Sequence, residues 1–353
     1  MTEEQIIHTV ADAVGVRVSQ VQTALQLLQA GNTIPFIARY RKEATGVLDE
    51  LQLRQIQEQY THEQALASRR ETVRQSIMEQ GQWTNELAKQ LEAAAQLQEI
   101  EDIYLPYKPK KRTKASLARD AGLEPLADIF WQQDPQGASP EKAASSYLTA
   151  DVPSVEDAIS GAANILAERI SELAPFRQFL RHALWQSAKL TCTLQVEETD
   201  APTMATYKDF SERICHLPSY RILAINRGEA QKQLKVTLTA DHDFYIKKLT
   251  QTIVHGRSPY YHILAAAAAD SYKRLIFPQM EREIRSDLTE KADKQAIAVF
   301  AKNLRSLLLQ PPFAGQTILG LDPGYRTGCK AAVIDPTGQV LAHGTYYLTN
   351  SER

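Results

Sequence analysis

Between Thr317 and Asp335 two short apolar runs, 318–321 and 330–334, are divided by Asp322-Pro323-Gly324-Tyr325-Arg326-Thr327-Gly328 and closed by Asp335-Pro336-Thr337-Gly338. Proline lacks an N–H donor and glycine favours left-handed backbone, so neither break continues a regular element, and apolar runs this short read as strands. Two antiparallel strands joined by a glycine-rich turn are predicted, with a third over 340–347. Asp322 then stands at the exit of a buried strand.

Upstream the period is mostly helical. Thr2 and Gln5 form a capping box ahead of Ile6, Ile7, Val10, Ala13 and Val14; Ser19 and Gln22 repeat it ahead of Val21, Ala24, Leu25 and Leu28. A third short helix after Asn32-Thr33 is expected to turn Ile34, Phe36, Ile37 and Tyr40 inward and to end at Ala44-Thr45-Gly46. Three such helices with a tight turn before the last suggest a helix-turn-helix-like unit. Its third helix would present Arg39, Arg41 and Lys42 to phosphates or base edges, although helix-end cations also pair with acids such as Glu43.

Asp49 and Gln52 open a long helix that Gly81 ends, and helices over 84–95 and 97–105 follow before Pro106 and Pro109. The segment from Lys108 to Lys114 holds Lys108, Lys110, Lys111, Arg112 and Lys114 and no acid. With Tyr107 beside it, the run matches a single-strand device in which cations follow phosphates and a ring stacks on bases. A solvated loop is the alternative, and Tyr104, in line with Ile100 and Ile103, is assigned to the core.

Two short helices are predicted over 115–133, then helices over 140–148 and 154–172, resuming after Pro175. At Leu190, Cys192, Leu194 and Val196 the period changes to the alternation of a half-buried strand. The segments 221–228 and 234–239 are predicted as a strand pair turning at 229–233, with Arg221, Arg227 and Lys235 on its face. Ser258-Pro259 starts another helix that Pro278 should kink or end, Asp287 and Glu290 should cap the last, and Pro311-Pro312 marks a domain boundary.

The expected fold is therefore a mainly α multi-domain protein. It comprises a helix-turn-helix-like tri-helical unit (1–47), a helical region (48–188), a small inserted β-sheet followed by long helices (189–312) and the first strands of an α/β domain (313–353).

Cys192, Cys215 and Cys329 are far apart and in no CxxC pattern, which reads as reduced thiols in a cytoplasm. No signal peptide is read at the N-terminus, and the longest apolar run, 263–269, is too short for a bilayer. The net charge of −2 confines any nucleic-acid surface to a patch. The histidines show no ligand spacing, and His216 beside Cys215 is read as a local accident.

Four segments taken together resemble one family: Gly31 to Glu50, Glu101 to Lys110, Leu223 to Glu229 and Leu319 to Lys330. The chain resembles the bacterial Tex transcription accessory proteins along its whole length. The resemblance implies a cytoplasmic nucleic-acid-binding protein associated with transcription. It implies a helical N-terminal region, a YqgF-type ribonuclease H-like domain, paired helix-hairpin-helix elements and an OB-fold, a core shared with a eukaryotic elongation factor that works with histones. Only the helical region and the opening strands of the YqgF-like domain are expected here, as in a truncated product or fragment.

The favoured function is a non-catalytic scaffold, with RNA or DNA and the transcription machinery as partners, no cofactor, no membrane and a monomeric state. The alternative is a magnesium-dependent nuclease, because 318–328 also resembles the start of the RuvC resolvases. Asp322 would then be one metal ligand, and since two ions need several carboxylates, the others would lie beyond Arg353. Asp335, at the opposite end of the hairpin, is a poor substitute. An actin-like phosphate site at the same stretch would lack its second loop, and as a turn residue Asp322 would simply cap the amides of 324–328.

Overall fold

The computed structural model describes residues 2–109, 112–311, 313, 315–324 and 328–347. It divides into two compact units, the first of residues 1–217 and 225–288, the second of 218–224 and 289–353.

The first unit begins with α1 (Glu3–Val14), α2 (Val18–Gln29), α3 (Ile34–Tyr40), α4 (Lys42–Thr45) and α5 (Glu50–Glu79). Thr2 and Gln5 cap α1 reciprocally and Asp49 and Gln52 cap α5 in the same way, each pair satisfying two amides that the first helical turn leaves without partners. α2 starts one residue before Ser19. Its cap position is Arg17, whose N–H donates to Gln20 Oε1 at 3.1 Å, so the expected Ser19–Gln22 box is displaced. Ile6, Val10, Val21, Ala24, Ile37, Leu48, Leu53 and Ile56 form one buried cluster, which includes the first turns of α5. Further along α5, Leu66, Val73 and Ile77 join a second cluster with Leu91 of α6 (Asn85–Ala93) and with Ile100 and Tyr104 of α7 (Leu97–Tyr104). Tyr104 is buried as expected, its hydroxyl 2.9 Å from Ser76 Oγ and the Arg69 guanidinium over its ring.

After a 3₁₀ turn at Leu105–Tyr107 come α8 (Lys114–Asp120), α9 (Glu124–Gln132), α10 (Pro140–Ala144), α11 (Val155–Ser171) and α12 (Ala174–Ser187). α11 is the central post, burying Ala158, Ala162, Ile165, Leu166 and Ile170. Its Gly161 lets α8 and Leu123 approach: a Cβ there would fall 2.3 Å from Leu123 Cδ1.

The inserted sheet consists of β1 (Lys189–Leu194), β2 (Asp209–Arg213) and, beyond α13 (Ser219–Ala230), β3 (Leu234–Thr239), antiparallel in the order β2-β1-β3. Leu190, Cys192 and Leu194 face Leu238, Val236 and Leu234 across one register. Glu281 Oε1 accepts the N–H of Leu238 at 2.8 Å, which satisfies a donor at the edge of β3.

Here the sequence expectation fails. Residues 221–228 are helical, so β3 pairs with β1, and Arg221, Arg227 and Lys235 share no sheet face. The run Ile222-Leu223-Ala224-Ile225 fits either element; the buried Ile222 and Ile225, three apart, follow a helical period.

α14 (His242–Ile253) and α15 (Tyr261–Asp270) lead through a π-helical turn, Ser271–Ile276, into α16 (Phe277–Leu308). The N–H of Phe277 reaches back five residues to Tyr272 O, and Pro278, which has no N–H to donate, follows directly on this widened turn, inside the first turn of α16. Pro278 therefore ends nothing. No helix begins at Asp287 and Glu290 either, because both lie inside α16.

A charged cluster joins α7, α12 and the 277–288 portion of α16. Arg177 and Asp102 are each 1% exposed, with Arg177 Nε donating to Asp102 Oδ1 at 2.8 Å. Arg181 Nη2 donates to Asp102 Oδ2 at 2.9 Å and Glu283 Oε2 at 3.1 Å, and Arg177 Nη2 to Glu283 Oε1 at 3.4 Å.

In the second unit β4 (Ile318–Gly324), β5 (Gly328–Ile334) and β6 (Val340–Tyr346) form an antiparallel meander in sequence order. The expected hairpin is present, with Asp322 opposite Lys330, but strand geometry runs on through the Asp-Pro-Gly break to Gly324. The strand is not buried: Leu319 and Leu321 are 59% and 60% exposed. A run apolar on both faces needs a layer on each, which the described residues of this unit do not provide.

Candidate nucleic-acid interface

Arg39, Tyr40, Arg41, Lys42, Glu43 and Ala44 line a cleft of about 340 Å³ where α3 turns into α4. The corner is fixed from α2 by one side chain: Gln20 Nε2 donates to Thr45 O and Gly46 O, both at 3.0 Å. Thr45 is fully buried, its Oγ1 donating to Arg41 O at 3.1 Å.

The chain leaves through two successive left-handed residues, Gly46 (φ 65°) and Val47 (φ 68°). A Cβ on Gly46 would meet Gln20 Nε2 at 2.9 Å and Arg17 Nη2 at 3.1 Å, so a larger residue there would displace the Gln20 amide that holds the corner, on a backbone whose φ of 65° already favours glycine. Val47 is β-branched in a conformation such residues rarely adopt, and its side chain is 73% exposed. Strain held at an exposed corner is a mark of functional sites.

The ring positions correct another expectation. Ile37 and Ala38 are buried, but Phe36 is 38% and Tyr40 69% exposed. These two rings, four residues apart, lie with centroids 5.2 Å apart and tilted by 43°, and the Arg41 guanidinium carbon sits 5.8 Å from the Phe36 centroid. Ile34, Ile37 and Ala38 already supply the inward face, which leaves Phe36 and Tyr40 outside it; that spacing was the available signal. Arg17, beside Gly46, was likewise missed because nothing local in the sequence ties it to this corner.

Of the second candidate run, Lys108, Arg112 and Lys114 are exposed, while Lys110 and Lys111 lie outside the described residues. The run is anchored at both ends. Gln80 Nε2 donates to Tyr107 O at 2.9 Å, and Thr113 Oγ1 donates to the buried Glu168 at 3.1 Å. Tyr107 is half-buried against the cluster that also holds Trp83, Leu87 and Ile103. Part of its ring is thus committed to packing.

Asp322 lines a separate groove on the second unit, of about 550 Å³, with Lys330, His343 and Thr345 among its neighbours. Asp322, Lys330 and Thr345 are register partners on three adjacent strands. One carboxylate, one ammonium and one imidazole are a poor donor set for two hard divalent ions, which take oxygen ligands. Among the described residues no group of three or more His, Cys, Asp or Glu could hold a metal. The turn 325–327, whose amides Asp322 was expected to cap, lies outside the described residues. Asp335 does cap a turn. Its Oδ1 accepts from Thr337 Oγ1 at 2.7 Å and from the N–H groups of Thr337 and Gln339 at 2.8 and 2.9 Å, and these bonds hold its carboxyl below the usual range.

Among the described residues no helix is long and apolar enough to cross a membrane. Three family models match the chain in order: the Tex-like protein N-terminal domain over 4–78, the Tex central region-like model over 135–300 and the Tex protein YqgF-like domain over 316–353. The chain is 42% identical to protein YdcI of Bacillus subtilis (strain 168), over 98% of this chain and 49% of that protein. It is 41% identical to the transcriptional accessory protein Tex of Neisseria gonorrhoeae, over 93% and 44% respectively. It is also 35% identical to the human S1 RNA-binding domain-containing protein 1, over 92% of this chain and 34% of that protein. The chain thus spans about half the length of the bacterial relatives it matches.

Proposed function

This chain belongs to the Tex family, and from that premise we propose that it is a monomeric, cytoplasmic, non-catalytic scaffold that holds RNA or DNA in the service of transcription. The observation that carries this reading is the α3–α4 corner, where Arg17, Arg39, Arg41 and Lys42 stand on a backbone fixed by Gln20. A guanidinium over the Phe36 ring, with Arg39 and Lys42 lining the same cleft beside the exposed Tyr40, suits a phosphate chain with its bases. The names of two relatives support the same direction, one a transcriptional accessory protein and the other an S1 RNA-binding domain protein. The basic run Lys108, Lys110, Lys111, Arg112 and Lys114 is the second contact in this proposal.

Among the described residues the groove around Asp322 offers one carboxylate, and a two-ion mechanism would need further ones from elsewhere in the protein, so the scaffold is the reading put first. Both halves can be tested together. Anisotropy titrations across a salt series should give a steep dependence, and Arg39→Ala/Arg41→Ala/Lys42→Ala should flatten it by roughly 0.7 to 0.9 for each phosphate that is no longer neutralised. An unchanged slope in that variant and in Lys110→Ala/Lys111→Ala/Arg112→Ala would refute the patch assignment. Magnesium-dependent cleavage that disappears in Asp322→Asn would refute the non-catalytic reading.

A further inference from the structure

Resting on the reading of this region as a nucleic-acid contact, we propose that the α3–α4 corner is a stacking seat for unpaired bases. Its ligand is single-stranded RNA or DNA, and α3 is not a reader of duplex grooves. Three observations lead there.

α3 has seven residues and opens on Ile34-Pro35-Phe36, so its N-terminal turn has no side chain able to donate to or accept from a base edge. A recognition helix reads with that turn. The outward face instead carries two rings, and Tyr40 in particular leaves most of its surface in water. A tyrosine in that position contributes little to the core, but its π-face is available to any base.

The charges complete the seat. Arg41 covers Phe36 and occupies its face, which leaves Tyr40 as the open platform, and Arg39 and Lys42 flank Tyr40 in the same cleft. The Gln20 clamp and the left-handed pair Gly46 and Val47 hold this geometry before any ligand arrives, which lowers the ordering cost of binding. Stacking is indifferent to base identity, so the seat accepts sequence broadly and rejects a duplex, whose bases are already stacked.

The test uses the whole chain and three labelled probes: an oligouridine and an oligodeoxythymidine of about twelve nucleotides, within the usual single-strand site range, and a blunt duplex of equal length. Tyr40→Ala is expected to weaken both single strands roughly 5- to 100-fold and to leave the duplex affinity and the salt slope unchanged. Tyr40→Phe, which keeps the ring, should stay within about two-fold of the parent. Equal melting temperatures establish that both variants fold.

The inference is overturned if Tyr40→Ala leaves single-strand affinity intact, or weakens duplex and single strands alike. If the Arg39/Arg41/Lys42 alanine variant still lowers affinity and slope in that case, only the stacking idea fails. If neither variant changes anything, the nucleic-acid reading of this corner fails with it. Loss of a protein partner in Tyr40→Ala with all three probes bound normally assigns the corner to protein docking and also overturns the proposal.

Discussion

Replacing Asp102 by alanine tests whether the charged cluster between α7, α12 and α16 is as dry as its geometry indicates. Asp102 and Arg177 are each 1% exposed, and the carboxylate accepts from Arg177 at 2.8 Å and from Arg181 at 2.9 Å. Glu283 remains in the variant, but its contact with Arg177 is 3.4 Å, so the buried guanidinium would lose its better partner. Breaking a buried ion pair from one side costs about 3 to 5 kcal/mol, mostly because a charge is left without compensation.

For a cooperative unit of about 280 residues the unfolding entropy is near 0.6 kcal/mol/K, so the melting temperature should fall by about 5 to 8 °C. Urea unfolding followed by circular dichroism measures the free energy, and a thermal scan measures the shift. The double variant Asp102→Ala/Arg177→Met should recover a large part of the loss, since it removes the stranded charge. A loss below about 1 kcal/mol in Asp102→Ala, with no recovery in the double variant, would refute the argument that this pair is desolvated.

Two further expectations are accessible to simple measurements. Val47→Asn places a residue that tolerates left-handed backbone where a valine is strained, so it should raise stability by about 1 kcal/mol in urea unfolding. Burial, aided by Glu229 and offset by Arg285, pushes the Cys192 thiol up to about 11 from an ordinary 9.0. A maleimide at pH 8 should therefore label the exposed Cys215 well before Cys192 in the folded protein, as peptide mapping would report. Only the unfolded chain ionises this thiol between pH 9 and 11, so the stability it contributes is present below pH 9 and is lost as pH rises through that window.

Interactions between near neighbours are the more legible ones, although the expected Ser19–Gln22 box is displaced to Arg17 and Gln20. The boxes Thr2–Gln5 and Asp49–Gln52 close over three residues, and both form where expected. The Thr317–Asp335 hairpin was equally legible as a pair of strands, but β4 runs on through the expected Asp-Pro-Gly break, and its burial, which depends on other layers, came out differently. α13 was misread because four apolar residues fit strand or helix until tertiary packing selects one. Long-range partners left no trace. Asp102 meets Arg177 across 75 positions and Gln20 meets Thr45 across 25, and no pattern in either segment announces the other. The cations Arg39, Arg41 and Lys42 were visible as composition, but their platform was not, since exposure of Phe36 and Tyr40 depends on which residues α3 turns inward.

The π turn at Ser271–Ile276 makes α15 and the 277–288 portion of α16 a single rod with a phase step in it. Each α-helical residue advances about 100° around the axis, so removing one residue from the turn would rotate that portion by about the same angle. Glu281, Glu283 and Arg285, which now meet β3, the arginines Arg177 and Arg181, and Glu229, would all leave their partners together. The turn therefore acts as a spacer that sets the azimuth of three separate polar contacts, and its length is under tighter constraint than the identity of most of its side chains.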